Sequence, residues 1–128
     1  MMKYKIEMVI DESIQKVFEL YTTEHHFKNW EKGLDRIESE HKEIFIKDAI
    51  SYLIFKNGSQ EMKMRMTIKD YTYPTLIDII YEVEGAYNLC ENRFIDQKQS
   101  TKWVMDVTFK FDQHMDVLII AGDIGNKE

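Results

Sequence analysis

The chain has 128 residues, enough for one domain that buries roughly two thirds of the surface its unfolded form exposes. With 17 basic against 23 acidic side chains the net charge is -6, which argues against a surface that neutralises phosphates and excludes nucleic acid as a partner. A lone cysteine, Cys90, rules out an internal disulfide, and the longest apolar run, Val117 to Ala121, falls far short of the ~20 residues of a membrane span.

The N-terminus leads straight into alternating residues rather than an apolar signal core, so a cytoplasmic protein is expected. Tyr4, Ile6, Met8 and Ile10 recur at every second position, the period of a half-buried strand. The period then changes: Ile14, Val17, Phe18 and Tyr21 fall at i, i+3, i+4 and i+7, predicting a helix with one apolar stripe, capped by Asp11 or Ser13. A second short helix is expected to follow, capped by Thr22 or Thr23, with Phe27 and Trp30 on one face and Gly33 at its end. There is no repeat, low-complexity tract or Pro/Gly/Ser-rich linker, so residues 1–128 read as a single domain.

From Ile44 to Phe111 the turn signals set the register of strand-like runs. A two-residue turn at Asn57-Gly58 pairs Leu53 with Met62, Ser51 with Met64 and Ala49 with Met66. A loop at Tyr71 to Pro74 pairs Ile68 with Ile77 and Met66 with Ile79. A tight turn at Gly85-Ala86 pairs Tyr81 with Cys90, and a loop at Gln97 to Ser100 pairs Phe94 with Trp103, Asn92 with Met105 and Cys90 with Val107. Each turn keeps the apolar residues on one face, and a one-residue slip anywhere would move a whole set to the other face. The expected architecture is a continuous antiparallel meander.

The residues Ile10-Asp11 and Val17-Phe18, then Trp30, Gly58 with Met62, Pro74, Glu82 to Gly85, Arg93-Phe94 and Thr101-Lys102-Trp103 carry a resemblance by their order and spacing. Over nearly its entire length the chain resembles the START/Bet v 1-like (SRPBCC) superfamily, in particular its polyketide cyclase/dehydrase and lipid-transport branch. The resemblance implies an α+β helix-grip fold: a curved antiparallel sheet of about seven strands, two short helices after the first strand, and a C-terminal helix enclosing an apolar ligand cavity. Two departures stand out. Residues 112–128 are short for the closing helix and are interrupted by Gly122 and Gly125, so at most Asp112 to Ala121 form a truncated one. At Lys47-Asp48 the superfamily often has a glycine.

The face shared by the strands places Met64, Met66, Tyr81, Asn92, Trp103 and Met105 opposite the small Ala49 and Ser51, and the resemblance adds Phe27 and Trp30 near the mouth of a cavity. Methionine adapts to irregular apolar shapes, while Tyr, Asn and Trp each bring a polar atom that needs a partner when buried. Such a face serves either as ordinary core or as a small-molecule site.

Other chemistry is sparse. His25 and His26 are adjacent, so on a helix they point ~100° apart and cannot share a metal; His41 and His114 are isolated. No metal or cofactor is expected. Cys90 near Asn92 reads as a buried structural thiol or as a nucleophile lacking a histidine base. Glu82, Glu84, Glu91 and Arg93 have the opposite parity and predict a solvated outer face, on which Ile50, Tyr52 and Ile54 stand opposite Arg65, Lys63 and Glu61. That patch is either covered by the charged stems or a homodimer contact. The functional expectation is binding or carriage of a lipid, polyketide or aromatic metabolite, with Asn92, Tyr81 and Trp103 orienting its polar atoms. The alternatives are a cyclase/dehydratase using Tyr81 as general acid and a protein-binding stress or co-chaperone module.

Overall fold

The computed structural model describes residues 1–23 and 33–111. Strand β1 (Met2–Ile10) carries the expected alternation, with Tyr4, Ile6, Met8 and Ile10 half-buried and the residues between them exposed. Ser13 then holds extended backbone and its hydroxyl accepts from the Lys16 amide at 3.3 Å, so Ser13 rather than Asp11 caps helix α1 (Ile14–Thr22). At 9 residues α1 is too short to persist alone, and its buried stripe of Ile14, Val17 and Phe18 fixes it to the sheet. The hydroxyls of Thr22 and Thr23 donate back to the carbonyls of Phe18 and Glu19. These threonines close α1; the second helix expected to start at Thr22 or Thr23 around Phe27 and Trp30, and the closing helix expected from Asp112, lie outside the described residues.

Strands β2 (Leu34–Ser39), β3 (Ile50–Asn57), β4 (Gln60–Thr72), β5 (Leu76–Val83), β6 (Ala86–Asp96) and β7 (Thr101–Phe111) complete a 7-stranded antiparallel sheet in the order β1-β7-β6-β5-β4-β3-β2. From β2 to β7 it is a meander, and β1 closes it by pairing with β7. Gly33, at φ +82, makes the turn into β2. In β2 the apolar signal is thin, Leu34 and Ile37 alone, and the pairing with β3 shifts between Leu34 and Arg36, so no period-two pattern marks it.

Turns differ from the sequence expectation by even steps. The β3–β4 loop is Gly58-Ser59, with Asn57 paired to Gln60, because one positive φ, +66 at Gly58, suffices where an Asn-Gly turn needs two. Leu53 therefore faces Met64, and Ser51 faces Met66. Glu84-Gly85 replaces Gly85-Ala86, Gly85 taking φ +84, so Tyr81 faces Asn88 and Ile79 faces Cys90. Between β4 and β5 the loop sits at residues 73–75 and a bulge between Ile68 and Asp70 absorbs the difference, leaving Met66 opposite Tyr81 and Ile68 opposite Ile79. The β6–β7 register agrees with expectation at Phe94–Trp103, Asn92–Met105 and Cys90–Val107. Since side-chain parity has period two, each two-residue correction leaves the apolar set on its original face.

The inner face holds the core, from Leu53, Met64, Met66 and Ile68 through Ile77, Ile79 and Tyr81 to Phe94, Trp103, Val107 and Phe109. Ile44, Phe45 and Ala49, from the segment before β3, join it. Asp48 turns the chain there at φ 71, the left-handed region, with its amide donating to the Ile68 carbonyl at 2.8 Å. On the outer face Arg65 pairs with Glu82 at 2.8 Å and Arg93 with the buried Asp78 at 2.6 Å. The Lys63 ammonium lies 4.6 Å from the Tyr52 ring centre and Ile54 is buried, so of the apolar outer trio Ile50 stays exposed.

Candidate ligand site on the concave face

Cross-strand pairing sorts the concave face into rows. At the α1 end one row runs Met8, Trp103, Phe94, and the next runs Ile6, Met105, Asn92, Ile77, Tyr71. Here α1 presses aromatic rings together: Phe18 meets Tyr71, Tyr73 and Phe94 edge-on at centroid distances of 5.3 to 5.4 Å, and Tyr21 meets Trp103 at 5.1 Å. Edge-to-face pairs of this kind each add about 0.5–1.5 kcal/mol beyond the area they bury. The polar atoms at this end serve one another. Trp103 Nε1 donates to Asn92 Oδ1 at 2.9 Å, while Asn92 Nδ2 donates to the Ile77 carbonyl at 3.1 Å and the Cys90 carbonyl at 3.5 Å.

Two rows away the chemistry changes. Ser51, Met66, Tyr81, Asn88 and Phe109 form one line across β3, β4, β5, β6 and β7, flanked by Leu53, Met64, Val83 and Phe111. The Cys90 thiol donates to Asn88 Oδ1 at 3.7 Å. Asn88 Nδ2 and Ser51 Oγ, both buried, have no hydrogen-bond partner among the described residues. Burial pushes the Tyr4 phenol, in the row between, above its usual pKa, with Cys90 beside it adding to the shift.

Of the residues singled out in the sequence, Ala49, Ser51, Met64, Met66, Tyr81, Asn92 and Trp103 are buried on this face and Met105 is half-buried on it. Tyr81 and Asn92 are not brought together: Tyr81 faces Asn88, and Asn92 faces Ile77. Phe27 and Trp30 lie outside the described residues, as do His25, His26 and His114. His41 is exposed. Among the described residues no group of His, Cys, Asp or Glu is placed to hold a metal ion. Asn88 was missed by the sequence reading, although it shares the parity of Asn92 and follows the Gly85 turn closely. On the outer side, Lys3, Lys5, Glu91 and Asp106 line a shallow groove with Tyr4 and Val107; its open, charged walls suit no apolar molecule. No described helix is long and apolar enough to cross a membrane.

No family model and no curated protein matches the chain. Solved structures do. The crystal structure of Ara h 8.0201 superposes with a TM-score of 0.76 at 12% identity, covering 96% of this chain and 91% of that one. The Mll3558 protein from Rhizobium loti gives 0.76 at 16% identity, covering 97% and 90%. A point mutant of norcoclaurine synthase from Thalictrum flavum, in complex with a transition-state analogue, gives 0.67 at 11% identity, covering 96% and 90%. With its curved antiparallel sheet and the helix that follows β1, this chain has the Bet v 1-like fold.

Proposed function

We propose that the concave face receives a hydrophobic small molecule, such as a lipid, polyketide or aromatic metabolite, and that the protein binds or carries it. One observation supports this above the rest: aromatic rings stack at both ends of the face, but the row bordered by Met64, Met66 and the Tyr4, Phe109 and Phe111 rings holds two buried polar atoms without a partner among the described residues, whereas the polar atoms beside α1 bond one another. Solid core satisfies its polar groups, whereas binding sites set a few polar atoms in an apolar wall. Met62, Met64 and Met66 supply side chains that reshape around a guest. The norcoclaurine synthase neighbour, which holds a transition-state analogue, lends the fold-level analogy. Native mass spectrometry of gently purified protein, followed by titration of tryptophan fluorescence with lipids and aromatic compounds, tests the reading. Retained or saturably bound apolar compounds are expected, and failure of every class to bind overturns it.

Catalysis of the cyclase or dehydratase type is the second reading, favoured by Tyr81, whose position on the inner face beside Asn88 suits a general acid. Tyr81→Phe is expected to bind ligand normally under either reading. Loss of turnover in that variant favours catalysis; unchanged turnover removes Tyr81 from it.

A further inference from the structure

We infer that the molecule received by the concave face is electrically neutral and oxygenated at two separated points, one oxygen accepting from Asn88 and the other bonded to Ser51. This rests on the ligand-binding reading above and narrows it to a chemical class.

Asn88 is 4% exposed, and with its Oδ1 occupied by the Cys90 thiol its Nδ2 is left without an acceptor among the described residues. A donor stranded out of water costs about 1–3 kcal/mol, and that cost is recovered by a guest that brings an oxygen to it. Ser51 is 0% exposed, and its Oγ likewise has no partner among the described residues. The two stand on the same row, joined through the pairs Ser51–Met66, Met66–Tyr81 and Tyr81–Asn88. At ~4.8 Å between neighbouring strands, they lie about 14 Å apart along the sheet and somewhat closer across its curve. A guest that reaches both is elongated, with an apolar middle resting on Met66 and the Tyr81 ring.

Charge decides between the oxygen-bearing classes. From the Phe94–Trp103 row to the Val83–Ala86 row, no inward-facing position of the described strands carries Lys, Arg, Asp or Glu. A carboxylate entering there would leave water and meet no countercharge on the described strands, a far larger penalty than burying a hydroxyl or carbonyl. Alcohols, ketones and esters fit, and ionised fatty acids do not.

Displacement of the neutral apolar dye phenylnaphthylamine from the full chain by decanol, decanoate and the decanediol with a hydroxyl at each end tests this. The diol is expected to displace best, by about 5-fold over decanol for the added hydrogen bond, with decanoate weakest. Asn88→Leu and Ser51→Ala, each confirmed as folded by its thermal transition, are each expected to reduce the diol to the level of decanol. Decanoate competing as well as the diol, or an order unchanged in both variants, overturns the inference while leaving the binding reading intact. Absence of dye binding, together with no response of tryptophan fluorescence or melting temperature to any of the probes, overturns both.

Discussion

Asn92 and Asn88 sit on the same strand and point to the same side, four residues apart, yet they live in opposite circumstances. Asn92 is held by Trp103 and two backbone carbonyls beneath the rings that α1 brings down. Asn88 has a thiol on its oxygen and, among the described residues, nothing on its nitrogen. The difference teaches that one sheet surface can hold the same side chain in two states. Near α1 the polar atoms complete a closed network that fixes the fold, and farther along β6 they are left with capacity to spare.

The most severe way to break this comparison is to remove the anchor. Phe18 is fully buried against three rings, so Phe18→Ala is expected to cost about 3–5 kcal/mol in urea unfolding. A loss below ~1 kcal/mol would mean that the aromatic end does not hold the structure together. Asn92→Leu comes next. It removes the Asn92 acceptor of the Trp103 Nε1–H and is expected to cost about 1–3 kcal/mol by the same measurement. At Asn88 the sign turns around: Asn88→Leu removes a buried amide with an unpaired donor and is expected to leave stability unchanged or raise it by up to about 1 kcal/mol. Equal losses at the two asparagines would erase the distinction between the two ends.

A smaller effect is expected where the chain enters β3. Asp48 holds φ 71, a conformation that favours glycine, so Asp48→Gly is expected to stabilise by up to about 1 kcal/mol in thermal unfolding. Destabilisation instead would assign the aspartate side chain a role of its own. The smallest effect is alkaline. Burial raises the pKa of Tyr71, at the anchored end, and of Tyr4, in the middle row, so the folded state holds these protons more tightly than the unfolded state does. Their contribution is fully present below about pH 10 and is lost as pH rises through the raised values. Melting temperatures should therefore fall above about pH 10, and Tyr71→Phe and Tyr4→Phe should each flatten the decline.

How much of this was legible in the sequence depends on the period of the signal. Alternation in β1 and the stripe of Ile14, Val17 and Phe18 announced their elements directly, because burial on one side imposes the period. Face assignment survived three displaced turns since the errors at Leu53, Tyr81 and Met66 were each two residues, which preserves parity. Strand β2 was not separable, because an edge strand paired on one side tolerates Asp35, Arg36 and Glu38 in place of an apolar alternation. The side of the sheet on which Ser51, Met64, Met66, Tyr81, Asn92 and Trp103 stand was read correctly, and their contacts incompletely. Parity shows which side Asn92 takes, but not that Trp103 already claims its oxygen, nor that Asn88 is the asparagine with a donor to offer. That depends on register to the residue, which turn chemistry sets and composition does not.

The pairing of β1 with β7 carries a consequence for synthesis. Met2 lies against Phe109 and Ile10 against Thr101, so the first of the seven strands to be made finds its partner only after almost all of the remaining sheet has been made. Until then its backbone groups are an open template for other chains, and closure of so long a loop is slow. Exposed Lys3, Lys5 and Glu7, alternating along that strand, put charge where a stray strand would dock and guard the nascent chain during the wait.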